Sequence, residues 1–122
     1  MSRILVVDDQ EDNRRILRDL LGASGYAVLE ATTGEEAVAS AEAHVPDLIL
    51  MDIQLPKMSG LEATRQLRGD ARTAGVPIIV VTSFALSGDD QKAKAAGATA
   101  YLAKPYSPRE LLAKIRAIVP EA

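Results

Sequence analysis

Six residues of this 122-residue chain stand directly behind short apolar runs. Asp8 and Asp9 follow residues 4–7, Asp52 follows 48–51, Thr82 and Ser83 follow 78–81, and Lys104 follows 99–103. Alone, an Asp or Thr at such a place is an ordinary turn or capping residue. Three carboxylates, a hydroxyl and an ammonium gathered on one rim are a different matter. Clustered carboxylates repel one another, so either a cation sits among them or one of them keeps its proton above the usual range. Hard oxygen donors with positions left open for water suit Mg2+, which also reaches for phosphate oxygens. Lys104 adds a second positive charge for an anionic ligand, and Thr82 a hydroxyl donor. The chemistry these types share is the handling of a phosphoryl group beside Mg2+.

Few groups here can receive that phosphoryl. The chain has no Cys, its one His, His44, is off the rim, and no G-x-x-x-x-G-K phosphate loop is present. A carboxylate nucleophile that forms an aspartyl phosphate is the economical choice. Asp52 is the candidate, as the sole acid at the end of a central, wholly apolar run.

The elements that must bring these residues together are legible in outline. Runs 4–7, 48–51 and 78–81 are continuous in Ile, Leu, Val and Met, as suits parallel strands buried on both faces. Runs 26–31 and 99–103 are less apolar and fit edge strands. Helix starts follow the S/T-x-x-E capping pattern at Thr33 with Glu36, Ser59 with Glu62 and Ser107 with Glu110. Pro108 occupies the first helical position of the last, and Ser87 to Asp90 is a looser version. Gly22 or Gly25 is expected to end the first helix, Gly69 or Gly75 the third and Gly97 the fourth. Ile16, Leu17, Leu20 and Leu21, and then Leu111, Leu112, Ile115, Ile118 and Val119, recur at helical spacing. His44 fits a surface position at a helix C-terminus. Five β-α units predict an α/β fold, a doubly wound five-stranded parallel sheet with helices on both faces. In such a sheet ligands bind beyond the carboxyl ends of the strands, where the six residues gather.

Composition narrows the field further. Apolar residues are 48% and charged residues 25%, a globular balance. The length suits one domain over residues 1–122, with no output domain expected. Without Cys there are no disulfides, Cys-zinc sites or thiol chemistry. A single His disfavours imidazole metal sites and Ser-His triads. Aromatics at 3%, no Trp and a net charge of −3 argue against a nucleic-acid-binding surface. Run 4–7 is too short for a signal segment or a membrane span, so a cytoplasmic protein is expected. Without Asp8, Asp9, Asp52 and Lys104 the balance is 13 positive against 14 negative side chains, so the acidity is mostly the site's own.

The set Val6-Val7-Asp8-Asp9, Leu50-Met51-Asp52-Ile53-Gln54-Leu55-Pro56, Val81-Thr82-Ser83 and Lys104-Pro105 resembles a response-regulator receiver domain of the CheY type, in order and across essentially the whole chain. Residues 51–67 resemble stand-alone regulators of the DivK type and equally the receivers of hybrid histidine kinases. The resemblance implies sheet order 2-1-3-4-5 and a phosphoryl group accepted on Asp52 from a histidine kinase or histidine phosphotransferase. It implies Mg2+ held by Asp9, Asp52 and the backbone carbonyl of Gln54, with Asp8 acting through a metal-bound water. Thr82 and Lys104 would contact the phosphoryl oxygens, and Tyr101 stands at the family's switch aromatic. Lys104-Pro105 matches a bond that is cis in many receivers.

On that reading the chain is a signalling switch, not an enzyme beyond its own phosphorylation and dephosphorylation. Gln54 and Phe84 would affect water access to the phosphorylated Asp52. The face of the fourth helix, fifth strand and fifth helix would change shape for a downstream protein in trans, from a monomer or weak dimer. Tyr106 could join a docking patch with Ile16 or Arg15. The competing readings are a pseudo-receiver that is never phosphorylated, a haloacid-dehalogenase-like phosphatase and an FMN carrier. The phosphatase needs a second Asp where Gln54 stands, and the carrier a phosphate loop and more aromatics.

Overall fold

Successive side chains of a strand point to opposite faces of its sheet, and here both faces are covered. The computed structural model describes residues 2–83 and 89–120. Its strands are β1 (Arg3–Val7), β2 (Ala27–Ala31), β3 (Leu48–Asp52), β4 (Ile78–Thr82) and β5 (Ala100–Ala103). They are all parallel, in the order β2-β1-β3-β4-β5. Between and after them run α1 (Glu11–Ala23), α2 (Gly34–His44), α3 (Gly60–Arg68), α4 (Asp89–Ala96) and α5 (Pro108–Ile118). This is the expected doubly wound architecture. The two weaker runs form the edge strands, and the order reverses between β1 and β3.

Leu5, Val7, Ile49, Met51, Ile78 and Val80 face the layer of α2, α3 and α4, meeting Ala37, Ala41, Ala63, Leu67 and Ala93. Ile4, Val6, Leu48, Leu50, Ile79 and Val81 face the layer of α1 and α5, meeting Leu17, Leu21, Leu111 and Ile115. The alternation explains why the central runs are continuous: neither face of β1, β3 or β4 meets water. One residue of the apolar spacing on α1 departs from this. Ile16 is 60% exposed, because the stripe of α1 that meets the sheet runs through Leu17 and Leu21.

The caps refine the sequence pattern. Thr33, Ser59 and Ser107 each accept a hydrogen bond from the backbone N–H three residues on. Only Glu110 completes the reciprocal box. Glu36 instead accepts from the backbone and hydroxyl of Thr32, and Glu62 pairs with Arg65 at 3.4 Å. Gly25 (φ 94°), not Gly22, follows the end of α1 in the left-handed region. Gly69 caps α3, and Gly97 (φ 103°) follows α4. Tyr26 and Thr99 lie just before their strands. Tyr26 donates its hydroxyl to the Val119 carbonyl at 2.9 Å. His44 is exposed in the last turn of α2. Ser87, Gly88 and Phe84 lie outside the described residues.

At the rim where the strands begin, Arg68 ties the end of α3 to the loops that lead into β4 and β5. Its guanidinium donates to the carbonyls of Gly97 (2.8 Å), Val76 (2.6 Å) and Ala74 (3.2 Å) and to the Thr99 hydroxyl (3.3 Å). The opposite rim carries the chemistry.

Candidate functional site

Asp52 and Thr82 are the last residues of β3 and β4, while Asp8, Asp9 and Lys104 lie just past β1 and β5. Because the strands are parallel, all five reach one rim. Asp8, Asp52 and Thr82 are buried, at 3%, 6% and 0% exposure, while Asp9 is exposed.

Each buried acid is held from its own loop. Asp8 Oδ1 accepts the Gln10 backbone N–H at 2.8 Å, and its Oδ2 accepts from Asn13 Nδ2 at 3.3 Å. Asp52 Oδ1 accepts the Gln54 backbone N–H at 3.0 Å. Lys104 Nζ bridges the pair, 3.6 Å from Asp8 Oδ2 and 3.5 Å from Asp52 Oδ2. Lys104 is itself placed by its backbone N–H on the Thr82 carbonyl at 2.7 Å. The peptide bond from Lys104 to Pro105 is cis. Tyr101 is half-buried on β5 and packs against the core layer of α2, α3 and α4.

Gly60 opens α3 against the end of β3. A Cβ there would lie 2.0 Å from the Asp52 carbonyl oxygen, so only glycine permits this approach. The Gly60 N–H also donates to the Ile53 carbonyl at 2.9 Å. Gly60 and Asn13 support the site without standing behind a strand. The one trace of Gly60 in the sequence is its place between the Ser59 cap and the apolar face of α3. Asn13 leaves no trace there.

Burial pushes the Asp52 carboxyl above its ordinary range, and Asp8 adds to the push, while the Gln54 amide and Lys104 work against it. Burial, then Asp8 and Asp52, also raise the phenol of Tyr106. One carboxylate oxygen from each of Asp8, Asp9 and Asp52 lies within 4.8 Å of the others. Oxygens sharing a Mg2+ at about 2.1 Å stand roughly 3–4 Å apart, a spacing this cluster approaches. A cavity of about 10 Å3 lies between Asp8, Asp52, Lys104 and Tyr106, near the space of one water. The donors are all hard oxygens. These residues fit Mg2+.

A groove of about 460 Å3 opens beside the site, with Ile16, Leu17, Leu20 and Tyr106 among its walls and Asp8 and Lys104 at its end. Ile16 thus shares a surface with Tyr106. Arg15 is not part of its lining and pairs with Asp12 at 3.5 Å.

Residues 4–116 match the model of the response regulator receiver domain. The polar-differentiation response regulators DivK of Brucella ovis and Brucella abortus are each 42% identical over 119 residues, covering 98% of this chain and 97% of theirs. Among solved structures, the chemotaxis protein CheY4 of Vibrio cholerae superposes with a TM-score of 0.91 at 33% identity, over 98% of this chain and 99% of that one. The receiver domain of the sensor histidine kinase PA1611 of Pseudomonas aeruginosa, with magnesium coordinated in its active-site cleft, has a TM-score of 0.89 at 38% identity, over 96% of both chains. The chain belongs to the response regulator receiver domain family, the signalling switches of two-component systems. Among the described residues, no helix is long and apolar enough to cross a membrane.

Proposed function

We propose that this chain is a phosphorylation-dependent switch, with Asp52 the phosphoacceptor. The observation that carries the reading is one buried carboxylate, Asp52, set among Asp8, Asp9 and Lys104 at the rim. A carboxylate needs no general base to attack. An Asp52 oxygen forms a bond to phosphorus as the P–N bond of a phosphohistidine breaks, and the departing imidazole nitrogen keeps the electron pair. Phosphoryl transfer asks for in-line positioning and charge stabilisation above all. Asp9, Asp52 and the Gln54 carbonyl would hold Mg2+, with Asp8 reaching it through water. The ion supplies positive charge to the oxygens of the transferring group.

Lys104 holds a phosphoryl oxygen on the other side, and the Thr82 hydroxyl turns to it after transfer. Movement of Thr82 releases space toward Tyr101 on the next strand. The surface of α4, β5 and α5 then presents a second shape to a downstream protein. This is a two-state element biased by local charge. The groove of Ile16 and Tyr106 receives the donor, a histidine kinase or a histidine phosphotransferase. Such a relay operates in the cytoplasm.

The test is phosphorylation with Mg2+ and acetyl phosphate, followed by intact mass. The expected result is a gain of about 80 Da, one phosphoryl group, that is base-labile, maps to Asp52 and is absent from Asp52→Asn. No adduct with acetyl phosphate or with a partner kinase would make the chain a phosphorylation-independent module. Steady turnover of phosphate esters without an adduct would make it a phosphatase.

A further inference from the structure

The β1–α1 loop carries two of the three acids, and they are held differently. Asp8 is fixed through both carboxylate oxygens, by Gln10 and Asn13. Asp9 is exposed, and the backbone that presents its side chain begins at the peptide joining it to Asp8. The oxygen of that peptide is the Asp8 carbonyl, and Arg14 Nη1 donates to it at 2.9 Å.

Arg14 spends its whole fork on this corner. Its Nε donates to Glu30 Oε1 at 3.2 Å, and its Nη2 pairs with Glu11. Its side chain is only 11% exposed. Glu30 is fixed in turn by Arg18 at 2.8 Å. The quartet of two arginines and two glutamates is neutral and joins the edge strand β2, the first turns of α1 and the acid-bearing loop. The Asp8 N–H donates to the Ala31 carbonyl at 3.1 Å, so both ends of that residue are tied toward β2. A guanidinium has directed, coplanar donors, so it can fix a peptide plane where a freely turning ammonium cannot.

We infer that Arg14 is a positioning residue for the cation site, setting the Asp8–Asp9 peptide and hence the aim of Asp9, with Glu30 as its anchor. The inference rests on the reading of Asp9 as a Mg2+ ligand. It gives the edge strand, whose own end offers no ligand, a part in the site.

Charge and position predict opposite signs. If Arg14 mattered only as a nearby positive charge, removing it would tighten Mg2+ binding, because cation repels cation. If it positions Asp9, removing it weakens binding. Mg2+ titrated calorimetrically into the native chain, Arg14→Met and Arg14→Lys decides between them, with unfolding of each followed in EDTA. The expected result is an affinity about tenfold or more lower for both variants, while both stay folded at the titration temperature. Arg14→Lys keeps the charge and loses the fork, so it decides alone should Arg14→Met fail to fold. Native or tighter affinity in Arg14→Lys overturns the inference, as does a loss in Arg14→Met that Arg14→Lys restores. If the native chain itself binds no Mg2+, the reading of the site falls and takes the inference with it. If the native chain binds and the lysine variant binds equally, the inference alone falls.

Discussion

Asp52 is pulled in two directions. The Gln54 amide and Lys104 favour its carboxylate, burial and Asp8 oppose it, and burial prevails. Its pKa in the fold therefore lies above its unfolded value. Keeping Asp52 ionised at neutral pH then lowers stability, and the loss disappears as the pH falls through the raised pKa and the group is protonated. Asp52→Asn should raise the thermal midpoint near neutral pH in EDTA. The rise should be roughly 3–5 °C for each kcal/mol relieved in a chain of this size. The gap between variant and native chain should close on acidification through the carboxylate range. Melts followed by circular dichroism across that range check both points, and an Asn variant less stable than the native chain at neutral pH contradicts them. Residue type made Asp8, Asp9, Asp52, Thr82 and Lys104 visible as candidates, because few side chains do this chemistry. Asn13 and Arg14 were not visible, because what they act on is a carboxylate lone pair and a backbone carbonyl whose position only the fold supplies.

At the scale of elements, the join between β3 and α3 is the tightest place near the site. Gly60 lets the first turn of α3 sit against the Asp52 carbonyl, where a methyl group would overlap backbone that cannot turn aside. Gly60→Ala should destabilise the fold by about 1–3 kcal/mol, the usual effect of overpacking a close contact. Its remaining folded population should bind Mg2+ more weakly, since the shift falls on the residue that carries Asp52. Denaturant unfolding and calorimetric titration measure the two effects. An unchanged midpoint would show that the contact has slack. The strands were legible because continuous apolar runs leave no alternative to two-sided burial. The cap residues were legible too, but their partners were not: whether Glu36 or Glu62 turns back to its cap depends on Thr32 and Arg65, which compete for it. Helical spacing did not separate the 60% exposed Ile16 from Leu17 and Leu21, because it gives the width of an apolar stripe without its centre.

At the scale of the molecule, the acidity is concentrated. Asp8, Asp9 and Asp52 face one another across the rim, whereas much of the charge on α1 is paired with charge. A ligand that binds only this folded site stabilises the whole chain by mass action, by about 1.4 kcal/mol at ten times its dissociation constant. Mg2+ should therefore raise the thermal midpoint in a saturable way, and Asp9→Asn should abolish the rise. A rise of equal size in Asp9→Asn would place the ion elsewhere. Asp52 closes a central strand paired with β1 on one side and β4 on the other, and its neighbours Met51 and Leu50 belong to opposite core layers. For a protein engineer this is a constraint on where to cut. Reshaping either core layer disturbs the same acid, so a longer or shorter signal is better sought in the loops around the rim, where a side chain can be exchanged without moving the strand that bears the mark.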